Sequence, residues 1–111
     1  MALEESIKNE IVTRIKKNAD VKKIILFGSY AYGNPHRWSD VDLVVILNEK
    51  GFTKTFREKI QRRNRISTLL DTVIKKIPVD VLVYTQDEWN YLLSIGSYFH
   101  KEINEKGAIL S

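Results

Sequence analysis

Residues 28–45 read GSYAYGNPHRWSDVDLVV, and the fold turns on how this stretch divides. Its left end is the exit of KKIILFGS, a short apolar run rich in β-branched residues. The run stops at Gly28, as a buried strand does. Ser29 to Gly33 is expected to make a tight turn or one helical turn. Asn34 and Pro35 then impose a loop that reaches Ser39. From Val41 to about Leu47 the apolar run resumes as a second strand, with Asp40 and Asp42 at its beginning.

Upstream, Leu3, Ile7, Ile11 and Ile15 recur every four residues with Val12 beside them. That spacing puts one apolar stripe on a helix ending near Lys17 to Ala19. Glutamates in its first half and lysines in its last turn suit the helix dipole. Downstream, residues Asn48 to Thr53 turn the chain, with Gly51 as the pivot. Thr53 to Lys76 reads as one long helix, its apolar face opened by Phe52, Phe56 and Ile60 and continued by Ile66, Leu70, Val73, Ile74 and Ile77. The polar, basic run Gln61 to Arg65 interrupts that face, where the helix bends or projects into solvent.

Pro78 closes the helix, and VDVLVYT, residues 79–85, is the third strand. Gln86 to Leu93 reads as helix and Gly96 breaks it. A last helix, about Tyr98 to Lys106, ends at Gly107 before an apolar tail, Ala108 to Leu110. The order predicts an α/β (α+β) layer sandwich: a small mixed sheet of three to four strands packed against helices. Its 111 residues make a single domain, with no repeat, linker or low-complexity segment.

Composition removes several function classes. The absence of cysteine excludes disulfides and thiolate metal sites. His36 and His100 stand far apart, so histidine-bound zinc is not expected. No apolar run approaches the roughly 20 residues of a membrane span. The N-terminal MALEESIKNE lacks the apolar core of a signal peptide, and a cytoplasmic location is expected by default. A net charge of +4 suits phosphate binding but is too small to establish a nucleic-acid partner.

Three features carry chemistry. Gly28-Ser29 after a strand lets an anionic oxygen approach the backbone and meet N–H donors and a hydroxyl, or it is ordinary turn chemistry. Asp40 and Asp42, two apart on a strand, face the same way roughly 6–7 Å apart. They repel unless a cation lies between them, and Mg²⁺ prefers such hard oxygen ligands; a solvated strand end is the alternative. Asp80 sits one residue into an apolar strand, where a carboxylate needs a partner or a metal. Should its strand lie beside the Asp42 strand, three carboxylates can hold two ions about 3.5–4 Å apart. Gly28 to Gly33 also has P-loop spacing, but Asn34 and Pro35 stand where that motif needs Lys and Ser or Thr.

Together, GSYAYGNPHRWSDVDLVV and the later VDVLVYT resemble the signature of the minimal nucleotidyltransferases, a small branch of the polymerase-beta-like superfamily. Gly28, Ser29, Gly33, Ser39, Asp40, Asp42, Leu43 and Asp80 match it in order and register, most strongly over about residues 20–85. The resemblance implies the nucleotidyltransferase fold, with catalytic Asp40, Asp42 and Asp80 binding two Mg²⁺ ions. It implies triphosphate binding by Gly28 and Ser29, with Gly33, Arg37 and Ser39 alongside. The implied reaction transfers a nucleoside monophosphate, AMP from ATP, to a hydroxyl. The implied setting is an antitoxin beside a HEPN-domain ribonuclease, with a tyrosine of that partner as acceptor.

Many relatives carry Arg within the glycine turn, where this chain has Tyr30 and Tyr32. Arg37 then has to neutralise the triphosphate, or affinity falls; the tyrosines themselves pack or alter that binding. Ser39 either donates to a phosphate or fixes the turn. Two other readings remain. One is a binding module that neutralises a HEPN-domain partner by contact, using Trp38, Trp89, Tyr91, Tyr98 and Phe99 as an aromatic surface, unless these side chains complete the core. The other is nucleic-acid binding through Arg57, Lys59, Arg62, Arg63 and Arg65, unless that face is merely solvated. Homo- or hetero-oligomers are compatible with either.

Overall fold

A computed structural model describes residues 3–33 and 40–111. The elements in chain order are α1 (Glu5–Asn18), β1 (Val21–Phe27), α2 (Ser29–Tyr32), β2 (Val41–Leu47), α3 (Phe56–Leu69), α4 (Asp71–Ile74), β3 (Val79–Thr85), α5 (Gln86–Ser94), α6 (Tyr98–Lys106) and β4 (Ala108–Ile109). The strands form one mixed sheet of order β3-β2-β1-β4. β1 runs antiparallel to β2 and β4, and β2 runs parallel to β3.

Alternation along the strands divides the core into two layers. Ile24, Leu26, Leu43, Val45, Leu47 and Val81 face α1, α3 and α4, where Ile11, Ile15, Ile66, Leu70 and Val73 complete the larger cluster. Ile25, Val44 and Ile46 face the other way, onto Trp89 of α5 and Ile103 of α6. β2 is covered on both faces and reads as an almost unbroken apolar run, as a central strand must.

The sandwich of three to four strands is observed with four. The apolar tail supplies the fourth, Ala108 and Ile109 pairing with Leu26 and Ile25. Gly107 permits this exit from α6, because a Cβ there would strike Ile103 O and the Ile25 side chain.

The single helix expected over Thr53 to Lys76 is two helices. The break falls at Leu70 (φ −101°, ψ 17°), past the basic run and not within it. Leu70, at the break, and Val73, just past it, are both fully buried in the core. The front of the expected apolar face is also exposed: Phe52, Phe56 and Ile60 are 57 %, 77 % and 41 % accessible. The core contacts of α3 begin at Ile66, two side chains late for the face that periodicity alone suggests.

Candidate active site

The site is set by strand register. Asp42 of β2 lies directly opposite Asp80 of β3 in the parallel ladder. Neighbouring strands are about 4.8 Å apart, so the two carboxylates leave the sheet side by side. By alternation both share the face of Val44, Ile46, Leu82 and Tyr84, the face that α5 and α6 cover further along. Asp40 precedes β2 by one residue and is exposed.

On the other flank of Asp42 stands Phe27, its antiparallel partner in β1. The chain leaves that rung through Gly28, at φ 75° and ψ −160°, a conformation that suits glycine. Any Cβ at Gly28 would fall on the Asp42 carboxylate, directly on Oδ2 and within 3.2 Å of Cγ. The turn and the acid are therefore packed backbone against side chain. Ser29 opens α2, whose Ala31 and Tyr32 N–H groups donate back to Gly28 O at 3.0 and 3.1 Å. The first N–H groups of such a turn have no acceptor within the helix. Tyr30 packs on the larger core cluster, whereas Tyr32 is 44 % exposed. Gly33 ends the turn in the left-handed conformation.

Electrostatics tie the acids together. The carboxyl of Asp42 is held above the usual carboxylate range, by burial first, then by the negative charges of Asp80 and Asp40. Among the described residues no three Asp, Glu or His side chains already converge as a metal-ligand set. The Asp80 carboxylate is engaged elsewhere: Arg63 of α3 donates from Nη2 to its Oδ1 at 3.0 Å. Arg63 also donates from Nε to the Val81 carbonyl at 3.0 Å. The basic run of α3 that reads as a solvated or nucleic-acid-facing surface is thus partly spent on the chain's own acids. Arg62 pairs with Glu49 and Glu88, and Arg65 with Glu49. Nothing in the spacing marks Arg63 apart from its neighbours; only the packing of α3 beside β3 does.

Of the other sequence-predicted residues, Arg37 and Ser39 lie outside the described segments, as does Trp38. The remaining aromatics divide. Trp89 is buried at 3 % exposure and belongs to the core, while Tyr91, Tyr98 and Phe99 are exposed. Phe99 meets Phe27 edge-on at 5.9 Å, so α6 reaches the residue opposite Asp42.

A mixed sheet with two acids on one rung, pressed against a glycine turn that opens a helix, defines the class of the nucleotidyltransferases. The family model of the nucleotidyltransferase domain matches residues 8–109, and the chain belongs to this family. Over 73 residues it is 34 % identical to "Putative protein adenylyltransferase MJ0141" of Methanocaldococcus jannaschii, covering 66 % of this chain and 72 % of that protein. Among solved structures, a toxin–antitoxin complex with AMP-PNP matches with a TM-score of 0.59 at 24 % identity, over 94 % of this chain and 72 % of that one. A tri-AMPylated Shewanella oneidensis HEPN toxin in complex with MNT antitoxin matches with a TM-score of 0.55 at 19 % identity, over 98 % and 72 %. At those identities the solved structures share the fold. Among the described residues no helix is long and apolar enough to cross a membrane.

Proposed function

We propose that this nucleotidyltransferase transfers AMP from ATP to a protein hydroxyl, a tyrosine of a HEPN-domain partner, and so acts as an antitoxin. The observation that carries the proposal is the shared rung of Asp42 and Asp80 beside Gly28. Family membership, the adenylyltransferase relative and the AMPylated toxin complex support the nucleotide and the acceptor.

Asp40, Asp42 and Asp80 are the residues that would hold Mg²⁺. The donors fit: all are carboxylate oxygens, and their mutual repulsion at Asp42 is relieved by a divalent cation. When bound, two Mg²⁺ ions supply positive charge to the α-phosphate and the departing pyrophosphate. Gly28 lets the turn sit directly against Asp42, and there the turn offers the triphosphate the Ser29 N–H and hydroxyl. Gly33, Arg37 and Ser39 complete the nucleotide-binding set. The acceptor oxygen bonds to the α-phosphorus as the bond to pyrophosphate breaks. Its proton passes to a carboxylate oxygen of Asp80, a side chain half open to solvent.

The test is incubation with labelled ATP, Mg²⁺ and a cognate HEPN partner. Label should appear on a partner tyrosine and vanish in the Asp40→Asn, Asp42→Asn double variant. Transfer that persists in that variant overturns the assignment.

A contact-only role is favoured by one observation. Phe52 and Tyr91 meet edge-on at 5.9 Å at the rim of a groove of about 230 Å³ that Lys59, Tyr84 and Glu88 also line. Neutralisation of the partner by the same Asp double variant, at native potency, would select that reading.

A further inference from the structure

We infer that Arg63 is the built-in counter-ion of Asp80 and competes for it with a divalent cation bound by the three acids. This rests on the metal reading proposed above.

The placement is specific. α3 lies on the face of the sheet opposite the acids, yet Arg63 reaches Asp80 past β3, the outermost strand in the order β3-β2-β1-β4. Two bonds hold its guanidinium there, Nε on the Val81 carbonyl and Nη2 on Asp80 Oδ1, both 3.0 Å. They differ in kind. The backbone carbonyl is fixed by the sheet, so the Nε bond is an anchor that does not depend on the acid. The bond to Asp80 is an ion pair between side chains 53 % and 51 % exposed. Such pairs are weak and readily exchanged.

The consequence is a competition. The guanidinium takes Oδ1 and sets a positive charge 3.0 Å from it, so a cation arriving at Asp80 meets a like charge already in place. Asp80 is the acid so held, while Asp42 beside it carries the unrelieved repulsion. The neighbouring arginines of α3 are paired with Glu49 and Glu88, so this exchange belongs to Arg63. Once Asp80 turns to the cation, the Val81 anchor keeps the guanidinium at the strand edge. Release is then a side-chain rotation and leaves the backbone in place. Arg63 acts here through Asp80, as a positioning residue.

The experiment is a Mn²⁺ titration of the nucleotide-free protein, with free ion read by electron paramagnetic resonance. The native chain, Arg63→Ala, Arg63→Gln and Lys59→Ala are compared, each checked for folding by circular dichroism. Gln retains an N–H donor for the Val81 carbonyl, so it removes the charge while sparing the anchor. Both Arg63 variants should bind Mn²⁺ about 1.5- to fivefold tighter, the range expected for losing an exposed ion pair. Lys59→Ala removes the same charge from the same helix and should leave affinity at the native value. Equal or weaker binding in the folded Arg63 variants overturns the inference, as does an equal gain in Lys59→Ala. No Mn²⁺ binding by the native chain and the Arg63 variants alike overturns the metal reading itself.

Discussion

Asp42 and Gly28 are packed so closely that the glycine's missing side chain is the space in which the carboxylate sits. The turn that would admit a triphosphate and the acid that would hold its metal are thus one structural unit. Gly28→Ala should lose on two counts, a strained φ of 75° and a methyl group driven onto the Asp42 carboxylate. The expected cost is about 1–3 kcal/mol of stability, read by urea denaturation, with loss of AMP transfer. A variant of native stability and native activity would contradict this packing.

The crowding at Asp42 has its own signature. Its carboxyl is raised by burial, then by Asp80 and Asp40, so the folded chain holds this proton more tightly than the unfolded chain does. Stability from this group is greatest below its unfolded pKa and is lost as pH rises through the raised folded value. Above that value, ionised Asp42 therefore opposes folding when no cation is present. Asp42→Asn should melt a few degrees higher than the native chain in chelator-containing buffer, while losing AMP transfer. A melting temperature that falls would mean the carboxylate is a net stabiliser through contacts of its own.

How much of this was legible beforehand follows from which forces are local. The strand ending at Gly28, the Asp pair opening β2 and Asp80 in β3 are written in periodicity and turn chemistry, which act over a few residues. That Asp42 and Asp80 share a rung is a matter of register between strands nearly forty positions apart, settled by the packing of Leu43, Val45 and Val81 on one face. Arg63 illustrates the limit. In sequence it is one cation among several, and only the approach of α3 to β3 makes it a partner of Asp80. Phe56 shows the opposite error: a side chain with core periodicity stays exposed, because periodicity marks a face of α3 and not how far along it the core reaches.

Glu88 joins the loop after β2 to the start of α5. It completes a capping box with Thr85, whose N–H donates to Oε1 at 2.8 Å, and takes the Thr53 N–H and hydroxyl on Oε2 at 3.1 and 2.7 Å. Arg62 lies 3.3 Å from Oε1. Burial pushes this carboxyl up, but the Thr85 and Thr53 bonds and then Arg62 outweigh it, and the net displacement is downward. Its contribution is present above the unfolded pKa and is lost as pH falls through the lowered folded value. Glu88→Ala should cost about 1–3 kcal/mol at neutral pH, from the cap and the hydrogen bonds together. The deficit should shrink in strong acid, where native Glu88 is protonated. Denaturation curves at both pH values check it, and a deficit independent of pH would assign the effect to packing.

His100 titrates in a separate window. Its ring stands between two hydroxyls, Ser97 Oγ at 2.6 Å from Nδ1 and Tyr84 Oη at 2.9 Å from Nε2. The edges and faces of Tyr84, Trp89 and Phe99 lie 5.4, 5.5 and 5.1 Å away, centroid to centroid. Burial lowers its pKa, so the fold prefers the neutral ring. For a base displaced downward, stability is complete above the unfolded pKa and declines as pH falls from there toward the folded value. Between about pH 7.5 and about pH 5 the native chain should therefore lose melting temperature, in the range where only histidine changes charge without strong perturbation. His100→Gln keeps a polar side chain among the hydroxyls but cannot titrate, and should flatten that slope. Glu88, displaced below the ordinary carboxylate range, titrates beneath this window, and the contribution of Asp42 changes with pH in the opposite sense to that of His100. An unchanged slope in the variant would place the pH sensitivity elsewhere in the chain.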